Sequence, residues 1–388
     1  MRIGIDGSNL RQGGGITHLV QLLDAAEPGA SGISRVQVWG AQPLLDQLPD
    51  RTWLLKVREI DLERGGATRW RWQQMRLAGL ARDAADLLFS PGGTYLGGFH
   101  PFVTMFRNML PFDAAERQRY RYSKMRVKLE LLRRAQGLTF GRADGVIFLT
   151  EHARAAVTSI VKLRGSHAVI PHGLDARFYA NAVEGADRHD HSVASAFRWL
   201  YVSAIHSYKH PWNVVEAATA LRAEGLPVTL DLVGPPYPPA MARLQSTISR
   251  LDPNRQFVTV TPGLPHAQLP AVYHGADGFV FASTCENMPN SLLEAMAAGL
   301  PIVCSDRSPM PEILERGGVY CDPESPASIA AAMKSLMADA QLRSTVKRVA
   351  QARAQLYSWS RCAKDTFDFL RQTALGHREP SASIVNRA

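Results

Sequence analysis

The chain has 388 residues, 46% hydrophobic and 20% charged, with a formal net charge of +9. That length suits two domains better than one core, and the composition is globular and excludes a disordered chain. No apolar run reaches the roughly 18 residues of a membrane-spanning helix. Met1-Arg2-Ile3-Gly4-Ile5-Asp6 leads straight into a strand, not into a signal-peptide core.

In chain order, the first strand is predicted at Arg2–Asp6. It ends in Gly7-Ser8-Asn9-Leu10-Arg11-Gln12-Gly13-Gly14-Gly15-Ile16-Thr17-His18. Three successive glycines let the backbone approach a ligand closely and feed a helix N-terminus, or form a flexible turn. The loop is neither a Gly-x-Gly-x-x-Gly fingerprint nor a Walker loop. Further strands are expected at Val36–Trp39, Leu87–Ser90, Phe102–Phe106, Gly145–Leu149 and Ala168–Pro171. Arg107 and Asn108 come directly after the strand at Phe102–Phe106. Arg107 can bring positive charge to a site, and Asn108 either hydrogen-bonds a ligand or caps the turn before Pro111.

Residues 114–136 carry Arg117, Arg119, Arg121, Lys124, Arg126, Lys128, Arg133 and Arg134 against Glu116 and Glu130. Met125, Leu129 and Leu132 recur at helical spacing. A basic amphipathic helix of this kind is either a solvated face or a dock for anionic lipid or an anionic lipid-linked acceptor. Nothing beside it points to nucleic acid.

Residues 181–196 are polar and aperiodic, which predicts a linker. A second series of strands then runs Trp199–Ser203, Val228–Val233, Val258–Thr261, Gly278–Ala282 and Ile302–Cys304, with helices such as Trp212–Glu224 and Pro270–His274 between them. Alternating strands and helices predict α/β architecture with parallel sheets, whose ligands bind beyond the carboxyl ends of the strands. A last helix comes after Ser360, and the chain from 376 on is expected to be flexible. The four cysteines, Cys285, Cys304, Cys321 and Cys362, form no Cys-x-x-Cys pair, so free buried thiols in a reducing cytoplasm are expected.

The most informative stretch is Cys285-Glu286-Asn287-Met288-Pro289-Asn290-Ser291-Leu292-Leu293-Glu294-Ala295-Met296-Ala297-Ala298-Gly299-Leu300-Pro301. Pro289 suits the first turn of a helix and Gly299 its end. Glu286 then lies in the preceding loop and Glu294 inside the helix. The N–H groups between them, around Met288 to Asn290, are free to hold an anion such as a phosphate. Lys209, just after the first strand of the second series, can neutralise a bound or developing negative charge.

The Glu-x7-Glu run, with Pro-Asn-Ser-Leu-Leu inside and Ala-Met-Ala-Ala-Gly-Leu-Pro after it, resembles the signature of glycosyltransferase family 4. These are retaining enzymes of the GT-B fold. The resemblance is strongest over residues 199–320 and extends to Val169–Asp175, Asp231–Gly234, Val260–Leu264, Pro309–Ile313 and Tyr357–Trp359.

It implies two Rossmann-like domains facing each other across a cleft. Residues 1–180 would form the acceptor domain, 197–359 the donor domain, and a helix at about 360–375 would cross back to the first. It also implies a sugar moved from a nucleotide-diphosphate sugar to a glycan or lipid-linked acceptor, in lipopolysaccharide, O-antigen or other surface-glycan synthesis. No metal or other cofactor is implied. The setting would be cytoplasmic, with a peripheral contact to the inner membrane through 114–136.

Carried over residue by residue, the resemblance gives catalytic roles to Glu286, Lys209, Arg107 and Asn108. Donor contacts would come from Gly14 and Gly15, from Ser203 and Lys209, from Gly234, Gly263 and Leu264, and from Glu286, Asn287, Met288, Pro289, Asn290 and Glu294. Ser203, Ala204 and Ile205 stand where relatives often carry an arginine, and Arg107-Asn108 where they often carry a histidine. A sugar-nucleotide epimerase, a sugar phosphorylase or a non-catalytic sugar-nucleotide-binding subunit are the alternatives.

Overall fold

The computed structural model describes residues 1–11, 14–179 and 196–378. The predicted linker, save its last residue, and most of the predicted tail lie outside these. Two compact units divide the chain: Met1–Gly173 with Ser358–Ala388, and Leu174–Tyr357. The sequence boundary at 180 therefore falls a few residues late. Phe178 packs against Tyr273 and His266 of the second unit, at ring-centroid distances of 5.6 and 5.3 Å.

In the first unit, β1 (Arg2–Asp6), β2 (Arg35–Gly40), β3 (Leu54–Arg58), β4 (Leu87–Ser90), β5 (Phe102–Met105), β6 (Gly145–Phe148) and β7 (Ser166–Val169) form a 7-stranded sheet in the order β3-β2-β1-β4-β5-β6-β7. The second unit holds β8 (Phe197–Val202), β9 (Val228–Val233), β10 (Val258–Thr261), β11 (Gly278–Phe281), β12 (Ile302–Ser305) and β13 (Val319–Cys321), in the order β10-β9-β8-β11-β12-β13. The strand pairings are parallel in both sheets. The central strands read as apolar runs because helices cover both faces: Ile5, Phe89, Val103 and Ile147 are fully buried in one unit, and Leu230, Val280 and Val303 in the other. The order of each sheet reverses beside its first strand, as in a Rossmann-like domain. Each unit thus has the doubly wound form that the GT-B fold requires.

β3 and β13 escape the sequence reading, and β7 starts two residues earlier than expected. The closing helix runs Trp359–Arg378 and belongs to the first unit. Its Asp368 accepts a 2.6 Å hydrogen bond from Ser31 Oγ, and its Phe369 and Thr373 lie against Gly145 of β6.

The basic segment is not one helix over 114–136. It is Ala114–Gln118 and then Lys124–Arg142, broken at Tyr122, whose φ of 58° is left-handed. Ser123 Oγ caps the second helix by accepting from Arg126 N at 3.3 Å. Part of the charge is neutralised internally, because Glu130 pairs with Arg117, Arg133 and Arg134, and Glu116 with Arg119. Leu129 is buried and Met125 and Leu132 half-buried, while Val127, Leu131 and Leu138 are 60–62% exposed. No helix among the described residues is long and apolar enough to cross a membrane.

Candidate active site

In the second unit the order reverses between β8 and β11, so the loops after these two strands meet at the switch point where ligands of open α/β sheets bind. Hydrogen bonds join the two loops. Thr284 N donates to Tyr208 O at 2.9 Å, and Ser283 Oγ to the same oxygen at 3.3 Å. Tyr201 OH donates to Lys209 O at 2.7 Å, and His210, held left-handed at φ 47°, contacts Thr284 Oγ1 through Nε2 at 3.2 Å. The result fixes Lys209, which is 9% exposed, in direct contact with the Glu286 carboxylate. The rings of Tyr208 and Phe281 lie 5.3 and 5.4 Å from its ammonium group. His206 stacks on Tyr237 at 4.4 Å; burial, then the Lys209 charge, pushes its pKa down to about 4, so it is neutral at pH 7.

The next helix runs Asn290–Ala297, one residue later than the sequence predicts, because Pro289 takes the flanking position rather than the first turn. Leu292 N and Leu293 N both donate to Pro289 O, which leaves the first-turn N–H groups of Asn290 and Ser291 outside the helical ladder. The helix has no side-chain cap, and Asn290 Oδ1 is buried without a partner among the described residues. Asn287 and Met288, both buried, precede it. Glu294 is buried on the same helix; Tyr273 OH donates to it at 2.8 Å and His266 Nε2 lies 3.5 Å away.

Gly234 directly follows β9 and Gly263 comes just after β10. Gly234 has φ 156°, and a Cβ there would stand 1.9 Å from Ser203 O, so backbone meets backbone where a side chain has no room. Gly234 N and Gly263 N both donate to Thr261 O, at 3.0 and 2.8 Å. Ser203, Gly263 and the half-buried Leu264 complete the rim at these strand ends.

In the first unit Gly14 opens the helix Gly14–Asp24. A Cβ on Gly15 would lie 2.9 Å from an Arg107 guanidinium nitrogen. Burial draws the Arg107 pKa down to about 10, and its Nε is buried without a partner among the described residues. Asn108 caps its turn, its Oδ1 accepting from Leu110 N at 3.2 Å, so of the two uses open in the sequence the local one is formed. His18 and His172 meet at 2.9 Å through their Nδ1 atoms, with Trp359 packed against both.

The structure thus brings together Lys209, Glu286, Asn290 and the start of the 290–297 helix in one unit, and Arg107 with Gly15 in the other. Sequence reasoning missed Tyr208, His206, Tyr237 and Tyr273. For His206, Tyr208 and Tyr237 the available signal was that aromatic residues recur in the segments after β8 and β9, whereas Tyr273 lies on the short helix Leu269–His274 and gave none. Among the described residues no group of three or more His, Cys, Asp or Glu side chains is placed to hold a metal ion. The four cysteines are buried, and none forms a disulfide.

Residues 191–353 match the family model described as Glycosyl transferases group 1. The matched span holds every candidate of the second unit, from Ser203 to Glu294. The O-antigen chain mannosyltransferase B of Escherichia coli is 31% identical over 105 residues, covering 27% of this chain and 28% of that protein. A D-inositol 3-phosphate glycosyltransferase of Pseudarthrobacter chlorophenolicus is 27% identical over 254 residues, covering 62% of this chain and 60% of that protein. The chain therefore spans less than two thirds of the length of these curated relatives. Among solved structures, a sucrose-phosphate synthase of Thermosynechococcus elongatus superposes with a TM-score of 0.73 at 18% identity, over 98% of this chain and 100% of that one. Anabaena HepE, solved with UDP and glucose, superposes with a TM-score of 0.67 at 19% identity, over 98% and 99%. At such identities these likenesses show the fold, which is GT-B.

Proposed function

We propose that the protein is a retaining glycosyltransferase of the family 4 type, moving a sugar from a nucleotide-diphosphate sugar to an acceptor hydroxyl. The observation that carries this reading is the Lys209–Glu286 pair, held at the switch point of the second sheet beside an uncapped helix N-terminus. A carboxylate for sugar hydroxyls, a cation for phosphate and unladdered N–H groups are the parts that a nucleotide sugar needs. The names of the relatives support it, as does HepE, which was also solved with UDP-glucose.

On binding, the donor diphosphate takes up the Lys209 ammonium and the N–H groups of Asn290 and Ser291, which frees Glu286 to accept from hydroxyls of the transferred sugar. Glu294 binds the ribose, and the strand ends at Ser203, Gly234, Gly263 and Leu264 meet the base; within the first unit, Arg107 beside Gly15 offers a buried cation to a charged group. The acceptor oxygen bonds to the anomeric carbon as the bond to the diphosphate breaks, and the departing phosphate oxygen takes the acceptor proton. Positive charge from Lys209 and the helix stabilises that leaving group without a metal. The work is placed in lipopolysaccharide O-antigen or other surface-glycan synthesis, at the cytoplasmic face of the inner membrane. There the exposed Val127, Leu131 and Leu138 and their neighbouring cations would meet anionic lipid.

A thermal-shift panel of UDP-, GDP-, ADP-, CMP- and dTDP-linked sugars tests the donor reading, since a ligand of the folded state raises its melting temperature. One nucleotide series should stabilise the protein, and Glu286→Ala should abolish transfer while leaving the fold intact. Full turnover by the folded variant would overturn the assignment.

A further inference from the structure

The helix Gly66–Met75 of the first unit carries a tryptophan on each side. Trp72 is buried, and its Nε1 donates to Glu59 at 2.9 Å. Trp70 is 62% exposed, and among the described residues its indole has neither a hydrogen-bond partner nor a ring against it. At helical spacing Ala67, Trp70, Arg71, Gln74 and Met75 share the outer arc, while Arg69, Trp72 and Gln73 face inward. Met75 is 69% exposed, and so is most of Ile60, in the short turn Ile60–Glu63. Asp61 binds Arg76 at 3.7 Å, which ties that turn to the Met75 end of the helix. Single apolar residues at a surface are ordinary, but a group that includes a tryptophan marks a contact surface.

The surroundings are cationic. Residues 58–76 hold five arginines against Glu59, Asp61 and Glu63. Glu63 binds Arg58 at 2.8 Å and Asp61 also binds Arg64 at 3.3 Å, so the acids are engaged. Arg71, exposed beside Trp70, has no acidic partner among the described residues. Exposed indole, thioether and aliphatic groups next to an unneutralised guanidinium suit the interface of an anionic bilayer. Tryptophan settles there with its ring against acyl chains and its N–H in water, and arginine reaches the headgroup phosphates.

The helix Lys124–Arg142 is a neighbour. Gln73 Nε2 donates to Thr94 O at 2.8 Å, and Gln74 Oε1 accepts from Leu96 N at 3.0 Å. From the other helix, Thr139 Oγ1 accepts from Tyr95 N at 3.1 Å, and Arg142 donates to Leu96 O and Gly97 O at 3.3 and 3.4 Å. The two helices thus brace one loop, 94–97, within one compact unit.

Resting on the membrane contact proposed above for Lys124–Arg142, we infer that the Trp70 face is a second docking point for anionic lipid. Trp70 is its interfacial anchor and Arg71 its phosphate contact. A protein held by one helix face can still roll about that helix; a second point across the loop fixes the tilt of the first unit on the bilayer.

Tryptophan fluorescence tests this on the full chain, because of the seven tryptophans Trp70 is the one among the exposed large apolar residues. The probes are phosphatidylcholine vesicles containing phosphatidylglycerol, with and without bromine on the acyl chains. At low salt the wild-type emission should shift to the blue and be quenched by brominated lipid, and Trp70→Phe should lose most of that quenching. Trp70→Ala should weaken vesicle binding about tenfold and Arg71→Gln about fivefold, with unchanged melting temperatures. Vesicle binding with Trp70 unquenched and Trp70→Ala at wild-type affinity removes this inference and leaves the Lys124–Arg142 contact standing. Quenching of Trp70 with wild-type binding by Val127→Ser/Leu131→Ser removes that contact and leaves this one. A Trp70-dependent dimer in sedimentation without lipid assigns the face to a second copy and overturns the proposal, as does a failure to bind vesicles.

Discussion

Lys209 lies on the loop after β8 and Glu286 on the loop after β11, yet the two side chains close into one ion pair, each 11% exposed. A shielded pair of this kind adds little net stability, but removing one partner leaves the other charge poorly solvated. Lys209→Met and Glu286→Gln should each destabilise the protein by about 2 kcal/mol, and the double variant by less than their sum. Donor affinity should fall in all three. Urea denaturation of the four proteins measures the coupling, and strict additivity would show that the pair does not form.

The strand, loop and helix around Glu286 and Glu294 are legible in the chain because Gly278–Phe281 is a continuous apolar run, and Pro289 and Gly299 mark the ends of the helical stretch after it. The partner of Glu286 is not. Lys209 is 77 residues away, and their contact exists only because β8 and β11 are neighbours in the sheet. Along the chain the two residues take separate tasks, whereas the fold neutralises one with the other. β3 escapes notice because it is an edge strand with no fully buried residue, and β13 because it is three residues long. The basic segment looks like one helix because periodicity does not register a left-handed residue at Tyr122.

Gly234 should tolerate no side chain. Its φ of 156° and the 1.9 Å that would separate a Cβ from Ser203 O mean that Gly234→Ala must push two strand ends apart. A loss of roughly 2–3 kcal/mol is expected, with weaker donor binding, since the displaced backbone borders the site. Gly79→Ala is the control. It is helical with open space around it, and should be neutral or stabilise by up to about 1 kcal/mol. Comparable losses at both positions in thermal melts would refute the steric argument.

The exposed face of the helix Lys124–Arg142 should bind anionic membranes. Tyr122 is 94% exposed and precedes Val127, Leu131 and Leu138, with exposed Lys124 and Lys128 among them. Each cation near an anionic surface contributes about 1 kcal/mol, so Lys124→Gln/Lys128→Gln should weaken binding to phosphatidylglycerol vesicles by roughly 30-fold. Val127→Ser/Leu131→Ser should weaken it as well, and added salt should affect only the electrostatic part. Vesicle co-sedimentation reads all three. Wild-type protein that stays in the supernatant at low salt would remove the membrane contact from the proposed function.

Stability should fall in acid before the carboxylates titrate, because of His18 and His172. The two rings share one hydrogen bond of 2.9 Å between Nδ1 atoms, which needs one donor and one acceptor and so forbids protonating both. Burial lowers both pKa values, that of His172 to about 3. The neighbouring Arg107 charge adds to this at both residues, and the His172 charge adds to it at His18. In the unfolded chain each histidine takes up a proton near its ordinary pKa of about 6.5. The unfolded state then binds more protons than the folded one. The stabilisation is complete above about pH 6.5 and is lost as the pH falls towards the folded value. The slope is up to about 1.4 kcal/mol per pH unit for each histidine. His206, lowered to about 4, adds a smaller effect of the same sign in the other unit. Urea midpoints between about pH 7.5 and pH 5 should therefore decline in the wild type. His172→Gln should be less stable at neutral pH, through loss of the shared hydrogen bond, yet show a flatter decline. Parallel declines in the two proteins would mean that the buried pair already carries a proton in the native state.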